Sequence, residues 1–234
     1  MEQPMDHQLK RETLAEFGDW AATYDAHWLN RFLFEPSHAA LLRELNGVPP
    51  GLALDIGCGT GELAIRLARQ GWHVVGLDLC VAMLHHARHK LNGQADRIHL
   101  TAGDSEHLPF GRATFDAVTC ANAFHHFPNQ QSALREMSRI LRSGGCLFVI
   151  DGWPDHWMGR VIYDLVIARV ERSVWHREAK DMRALFRTAG LVEVTQRRLY
   201  SPFPLLLTRG DVPGTDRNAG GQESTSPLRL TAPP

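Results

Sequence analysis

The sequence predicts an α/β fold, a mostly parallel sheet with helices on both faces and an antiparallel hairpin at the C-terminal edge. Three observations carry this. From Leu52 to Asp151, apolar runs of strand length alternate with helix-period segments. The strand candidates Ala53 to Ile56, Phe115 to Cys120 and Cys146 to Ile150 are nearly continuous in apolar residues, as a parallel sheet covered on both faces requires. The length, 234 residues of which 44% are hydrophobic, suits one large core rather than two.

The elements follow in chain order. Phe17, Trp20, Ala21 and Tyr24 fall at i, i+3, i+4 and i+7, one face of an amphipathic helix. A short helix from Ser37 to Leu45 follows, and Pro49, Pro50 and Gly51 close a helical cap over residues 1–50. The first strand leads into a helix buried through Leu63, Ala64, Leu67 and Ala68. The second, Val74 to Leu77, leads into one buried through Val81, Leu84, Ala87 and Leu91. After the fifth strand, Gly152 to Gly190 is too long for one crossover helix and reads as two helices, a lid insertion at 152–190. Leu191 to Tyr200 and Leu205 to Thr208 form the edge hairpin, which puts the main domain at 51–209. Residues 210–234 are rich in Gly, Pro, Ser and Thr, with too little apolar surface to offset ordering entropy, and are expected to be a disordered tail.

Charge and cysteine usage exclude several function classes. Lys plus Arg number 25 and Asp plus Glu 26, so no global positive field draws the chain onto nucleic acid or anionic lipid. Cys58, Cys80, Cys120 and Cys146 contain no C-x-x-C pair and read as reduced, buried thiols rather than zinc ligands. No apolar run approaches the ~18 residues of a membrane span, and a cytoplasmic protein that needs no metal is expected.

The chemistry concentrates at predicted strand ends. Asp55-Ile56-Gly57-Cys58-Gly59-Thr60-Gly61 joins the first strand to the first helix, where glycines let backbone turn tightly and approach a ligand. The dinucleotide pattern G-x-G-x-x-G fails, because Glu62 stands where its third glycine is needed. A P-loop fails for want of the closing G-K-[ST]. Asp78 ends the second strand, and Asp104 with Ser105 follows the third. One carboxylate there suits a ribose diol and the other an exocyclic amine. His125 and His126 follow the fourth strand in Asn122-Ala123-Phe124-His125-His126-Phe127, where either imidazole could act as base or could simply bond backbone. His85, His86 and His89 read as a solvated helix face. Trp153, Trp157 and Trp175 either line an acceptor pocket or pack plainly.

These segments, with Leu77-Asp78-Leu79-Cys80-Val81-Ala82-Met83-Leu84, Gly103-Asp104-Ser105-Glu106-His107-Leu108-Pro109-Phe110 and Leu141-Arg142-Ser143-Gly144-Gly145, resemble the ordered motifs of class I S-adenosylmethionine-dependent methyltransferases. The likeness is closest to the small-molecule group that includes the ubiquinone and menaquinone C-methyltransferases, and it spans Asp55 to Asp151. It implies a Rossmann-like, seven-stranded sheet and S-adenosylmethionine as cofactor. In its terms the Gly57 to Gly61 loop passes the methionine part, Asp78 holds the ribose, and Asp104 with Ser105 reaches the adenine. Asp55, Cys58, Gly59, Leu79, Met83, Gly103, Ala121 and Asn122 complete the expected cofactor site, and Tyr24 resembles an N-terminal element that folds across the cofactor. The implied reaction is in-line methyl transfer to a small-molecule acceptor, with no nucleic acid as partner. A methyltransferase for RNA or protein, or a cofactor-binding protein without catalysis, is the alternative.

Overall fold

The computed structural model describes residues 4–21, 28–91, 93–155, 157–163, 174–200 and 203–214. Tyr24, and all of the expected tail beyond residue 214, lie outside them. Seven strands form one sheet in the order β3-β2-β1-β4-β5-β7-β6. Their ranges are β1 Leu52–Ile56, β2 His73–Asp78, β3 Ile98–Ala102, β4 Phe115–Ala121, β5 Leu141–Gly152, β6 Val192–Leu199 and β7 Leu205–Asp211. The first five are parallel, and β7 runs antiparallel between β5 and β6. The order reverses between β1 and β4, and at such a switch point the connections leave in opposite directions and open a crevice beyond the carboxyl ends. Register brings those ends level, for Ile56 pairs with both Leu77 and Cys120.

Among the described residues the α-helices are α1 Pro4–Trp20, α2 Trp28–Leu45, α3 Glu62–Arg69, α4 Val81–Lys90, α5 Gln130–Ile140, α6 Trp157–Val161 and α7 Ala179–Thr188. Because successive strand residues point to opposite faces, Ala53, Val74 and Ala117 meet α2, α3 and α4 on one face. Leu54, Val118 and Leu147 meet α5 and α7 on the other. Each layer is closed by residues at helical spacing, such as Leu63, Ala64, Leu67 and Ala68 on α3 and Ala133, Leu134, Met137 and Ile140 on α5.

Four details depart from the sequence reading. Helix α2 starts at Trp28 rather than Ser37 and runs through Pro36. Proline disfavours a helix interior, but the burial of Ser37, His38, Ala40 and Leu41 outweighs that local cost. Val81 is 65% exposed, and Met83, packed toward α1, is buried in its place alongside Leu84. Trp157 is 73% exposed, and Trp153 is buried beneath Arg198 and Tyr200, and neither lines the cavity at the strand ends. Finally, β7 extends past the expected boundary at 209. Gly210 and Asp211 pair with Leu147 and Cys146, and the Val212 amide donates to Gly145. Composition could not reveal this, because ladder hydrogen bonds need backbone rather than apolar side chains.

Candidate functional site

A cavity of about 490 Å³ lies beyond the carboxyl ends of β1 to β4 and under α1 and α2. Of the residues expected at a site, Asp55, Gly57, Cys58, Gly59, Asp78, Leu79, Met83, Gly103, Asp104, Ser105, Ala121, Asn122 and His126 line it. Gly61 and His125 do not. Gly61 instead starts α3 at φ 80, and a Cβ there would come 3.2 Å from Ala87. Gly57 has φ 68, and a Cβ on it would stand 2.5 Å from that of Ala123, so only glycine keeps the loop pressed against the end of β4.

Asp78 ties this loop together. Its Oδ2 accepts the Gly59 amide at 2.7 Å and its Oδ1 accepts the Cys80 amide at 2.8 Å. Burial raises its pKa while those amides, with that of Leu79, pull it down, and burial prevails. A carboxylate oxygen carries two acceptor sites, so each oxygen retains capacity toward a hydroxyl.

Asp55 is 2% exposed at the end of β1. Its Oδ1 accepts from Thr119 Oγ1 at 2.9 Å, while its Oδ2 has no hydrogen-bond partner among the described residues. Burial, with the Asp78 charge nearby, outweighs the Thr119 bond and pushes its pKa up to about 7. Asn122 sits at φ 51 just after β4, a conformation asparagine tolerates. The Ser37 hydroxyl of α2 donates to its Oδ1 at 3.0 Å, and its buried Nδ2 has no partner among the described residues. An acceptor and a donor, both buried, thus line one cavity.

At the β3 end, Lys10 of α1 places its Nζ 2.7 Å from Asp104 Oδ2 and 3.1 Å from Glu106 Oε2. Burial alone would raise Asp104, but the Lys10 and Glu106 amide hydrogen bonds hold it below the usual carboxylate range. Lys10, Leu14 and Phe17 therefore make α1 the cover of the cavity. Only part of this cover was legible beforehand, since Phe17 showed helical spacing while Lys10 carried no signal. From α2 come Phe34, Glu35 and His38. Burial, with Arg66 nearby, lowers His38 to about 4, so it is neutral at pH 7. Arg66 makes two bonds to Glu35, at 2.9 and 2.7 Å.

The two histidines after β4 have different surroundings. His126 lines the cavity beside Phe127 and Pro128, with the Phe17 ring edge-on at 5.0 Å. His125 is buried behind it, its Nδ1 2.6 Å from Asp151 Oδ1.

Residues 54–149 match a family model described as a methyltransferase domain. A demethylmenaquinone methyltransferase of Deinococcus radiodurans is 36% identical over 156 residues, 64% of this chain and 64% of that protein. One from Mycobacterium tuberculosis is 39% identical over 103 residues, 44% of this chain and 42% of its own length. The chain thus spans less than two thirds of the relatives it matches. Among solved structures, a SAM-dependent methyltransferase from Thermotoga maritima superposes with a TM-score of 0.68 at 21% identity, covering 84% of this chain and 98% of its own. The [4+2]-cyclase SpnF superposes at 0.63 and 18% identity, covering 75% and 80%. Likeness at that level shows the fold alone, and a fold shared with a cyclase does not fix the reaction.

Proposed function

We propose that the chain, whose residues 54–149 match a family model described as a methyltransferase domain, transfers the methyl group of S-adenosylmethionine to a small-molecule acceptor with an apolar ring. The observation that carries this reading is the continuity of one cavity. Its lining combines Asp78, Asp104 and the glycine loop with the rings of Phe17, Phe34, His126 and Phe127 and with Pro128.

The residues present fit the cofactor. Asp55 Oδ2 and Asn122 Nδ2 are buried polar atoms facing no protein partner among the described residues, and the turn at Gly57 leaves no room for a side chain. Asp78 would hold the ribose, Asp104 and Ser105 the adenine, and the Gly57 to Gly61 loop the methionine part. When bound, the cofactor supplies an electrophilic methyl on a sulfonium. The protein aligns the acceptor, and α1 and α2 exclude water from the cavity. His126 offers an imidazole at the acceptor wall that can take a proton from a hydroxyl or an activated carbon. Phe17, Phe34, Phe127 and Pro128 add apolar surface beside His126 and the neutral His38, and the charges of Lys10, Glu35 and Arg66 in the same lining are ion-paired, which favours an uncharged ring. The relatives named for demethylmenaquinone support that choice. The cover formed by α1 and α2, together with the chain's formal net charge of -1, argues against RNA or protein as acceptor.

The test is transfer of labelled methyl from S-adenosylmethionine to a panel of small ring compounds that includes demethylated quinols. Label should appear in a ring acceptor, and His126→Asn should slow transfer on the order of 100 to 10,000-fold while donor affinity stays unchanged. Donor binding without transfer to any acceptor would point instead to a non-catalytic binding protein.

A further inference from the structure

Asp151 stands at the end of β5, 5% exposed, and nothing in the reaction proposed above uses it. Both of its oxygens engage His125. Oδ2 accepts the His125 backbone amide at 2.8 Å, and Oδ1 lies 2.6 Å from His125 Nδ1. Oδ1 also accepts the Gly152 amide at 2.7 Å. Burial alone would raise Asp151, but His125, His176 and the Gly152 amide outweigh it and hold its pKa at about 2. An ionised carboxylate only accepts, so His125 must carry a proton on Nδ1.

The surroundings are closely packed. The His125 ring lies 4.1 Å from that of His126 on one side and 4.5 Å from that of His176 on the other, and Tyr163 lies 4.4 Å beyond His176. A Cβ on Gly152 would meet His176 Nδ1 and Tyr163 at 2.7 Å. His125 and His126 share the one 3-10 turn Phe124–His126. A bond that fixes both the amide and the ring of His125 therefore fixes the backbone from which His126 projects. A buried charge is an expensive way to fill space, which favours a directional role over plain packing.

We propose that Asp151 is a positioning residue for methyl transfer, holding His125 by amide and ring so that the turn presents His126 to the acceptor end of the cavity. This rests on the reading of His126 as the acceptor-facing group. His125, Asp151 and His176 also offer ligand atoms within 4.8 Å of one another. However, three N–H groups already occupy the carboxylate, so the hydrogen-bonded role fits better.

Asp151→Asn tests this, because asparagine keeps the shape but presents an N–H to His125 Nδ1 and so drives the ring to its other tautomer or out of place. Turnover should fall about 100-fold, the magnitude of a misplaced catalytic group, with the donor dissociation constant by calorimetry within twofold of wild type. The nitrogen-15 spectrum of the histidine rings, which needs no activity, should lose the His125 Nδ1–H signal and show the His126 ring signals displaced. If Asp151→Asn folds poorly, His125→Asn serves, since its amide can donate to Asp151 in place of the ring, and it should turn over at least tenfold faster than His125→Leu. Wild-type turnover with an unchanged pH profile in Asp151→Asn would overturn the proposal. So would unmoved His126 signals, equal rates for the two His125 variants, or stoichiometric Zn²⁺ binding by wild type that His176→Ala abolishes. Full activity of His126→Asn would sink the acceptor-facing reading by itself, and the displacement of the His126 signals would still decide the positioning.

Discussion

Asp55 makes donor binding depend on pH in a way that can be worked from the structure. It is fully buried at the cavity wall with one oxygen unpartnered among the described residues, and its pKa rises from 3.8 to about 7. A folded value above the unfolded one stabilises the empty protein fully below pH 3.8, and that stabilisation is lost as pH rises through about 7. The shift corresponds to at most about 4 kcal/mol. S-adenosylmethionine brings a sulfonium and an amino group, so it prefers the ionised carboxylate. With a pKa of about 7, roughly one molecule in eleven is ionised at pH 6 and ten in eleven at pH 8. Because apparent affinity scales with the competent fraction, the donor dissociation constant should fall about tenfold across that interval. His38, at about 4, does not titrate there. Calorimetry at pH 6, 7 and 8 reads this directly. Asp55→Asn should bind the donor more weakly with a flat profile, and it should melt higher than wild type at pH 8 because the buried charge is gone. A flat wild-type profile, or a slope that survives in Asp55→Asn, would refute the assignment of the proton to Asp55.

Asp78→Ala removes the acceptor for the Gly59 and Cys80 amides and the proposed ribose ligand together. Donor affinity should fall about 10 to 100-fold, from losing roughly 1.5 to 3 kcal/mol of charged hydrogen bonding, and calorimetry at wild-type affinity in a folded variant would remove Asp78 from the site. Truncation after Thr208 removes the pairings of Arg209, Gly210 and Asp211 with β5 and should lower the melting temperature by several degrees, whereas truncation after Gly214 keeps every described β7 pairing. Equal melting of the two truncations would mean that this end of β7 adds nothing to stability.

Much of the fold was legible because it is written in local periods. Apolar runs marked β1, β4 and β5, helical spacing marked α3 and α4, and the glycines with Asp78 and Asp104 marked strand ends that parallel register brings level. The start of α2 was less legible: the helix expected from Ser37 begins at Trp28 and runs through Pro36, since propensity is a local cost that the burial of Ser37, His38, Ala40 and Leu41 overrides.

By itself, then, the sequence determined the layered sheet, the place of the crevice and the acids that face it, because each follows from residues within one strand and its loop. Only the tertiary structure decided what closes the crevice and how the paired histidines divide. Lys10 meets Asp104 across 94 positions, Ser37 orients Asn122 across 85, and Asp151 takes His125 across 26 while leaving His126 at the cavity. Nothing in the local pattern of α1 or of the His125-His126 pair encodes those partners. They exist because chain closure brings distant polar groups into one low-dielectric place, where leaving a hydrogen bond unmade is costly.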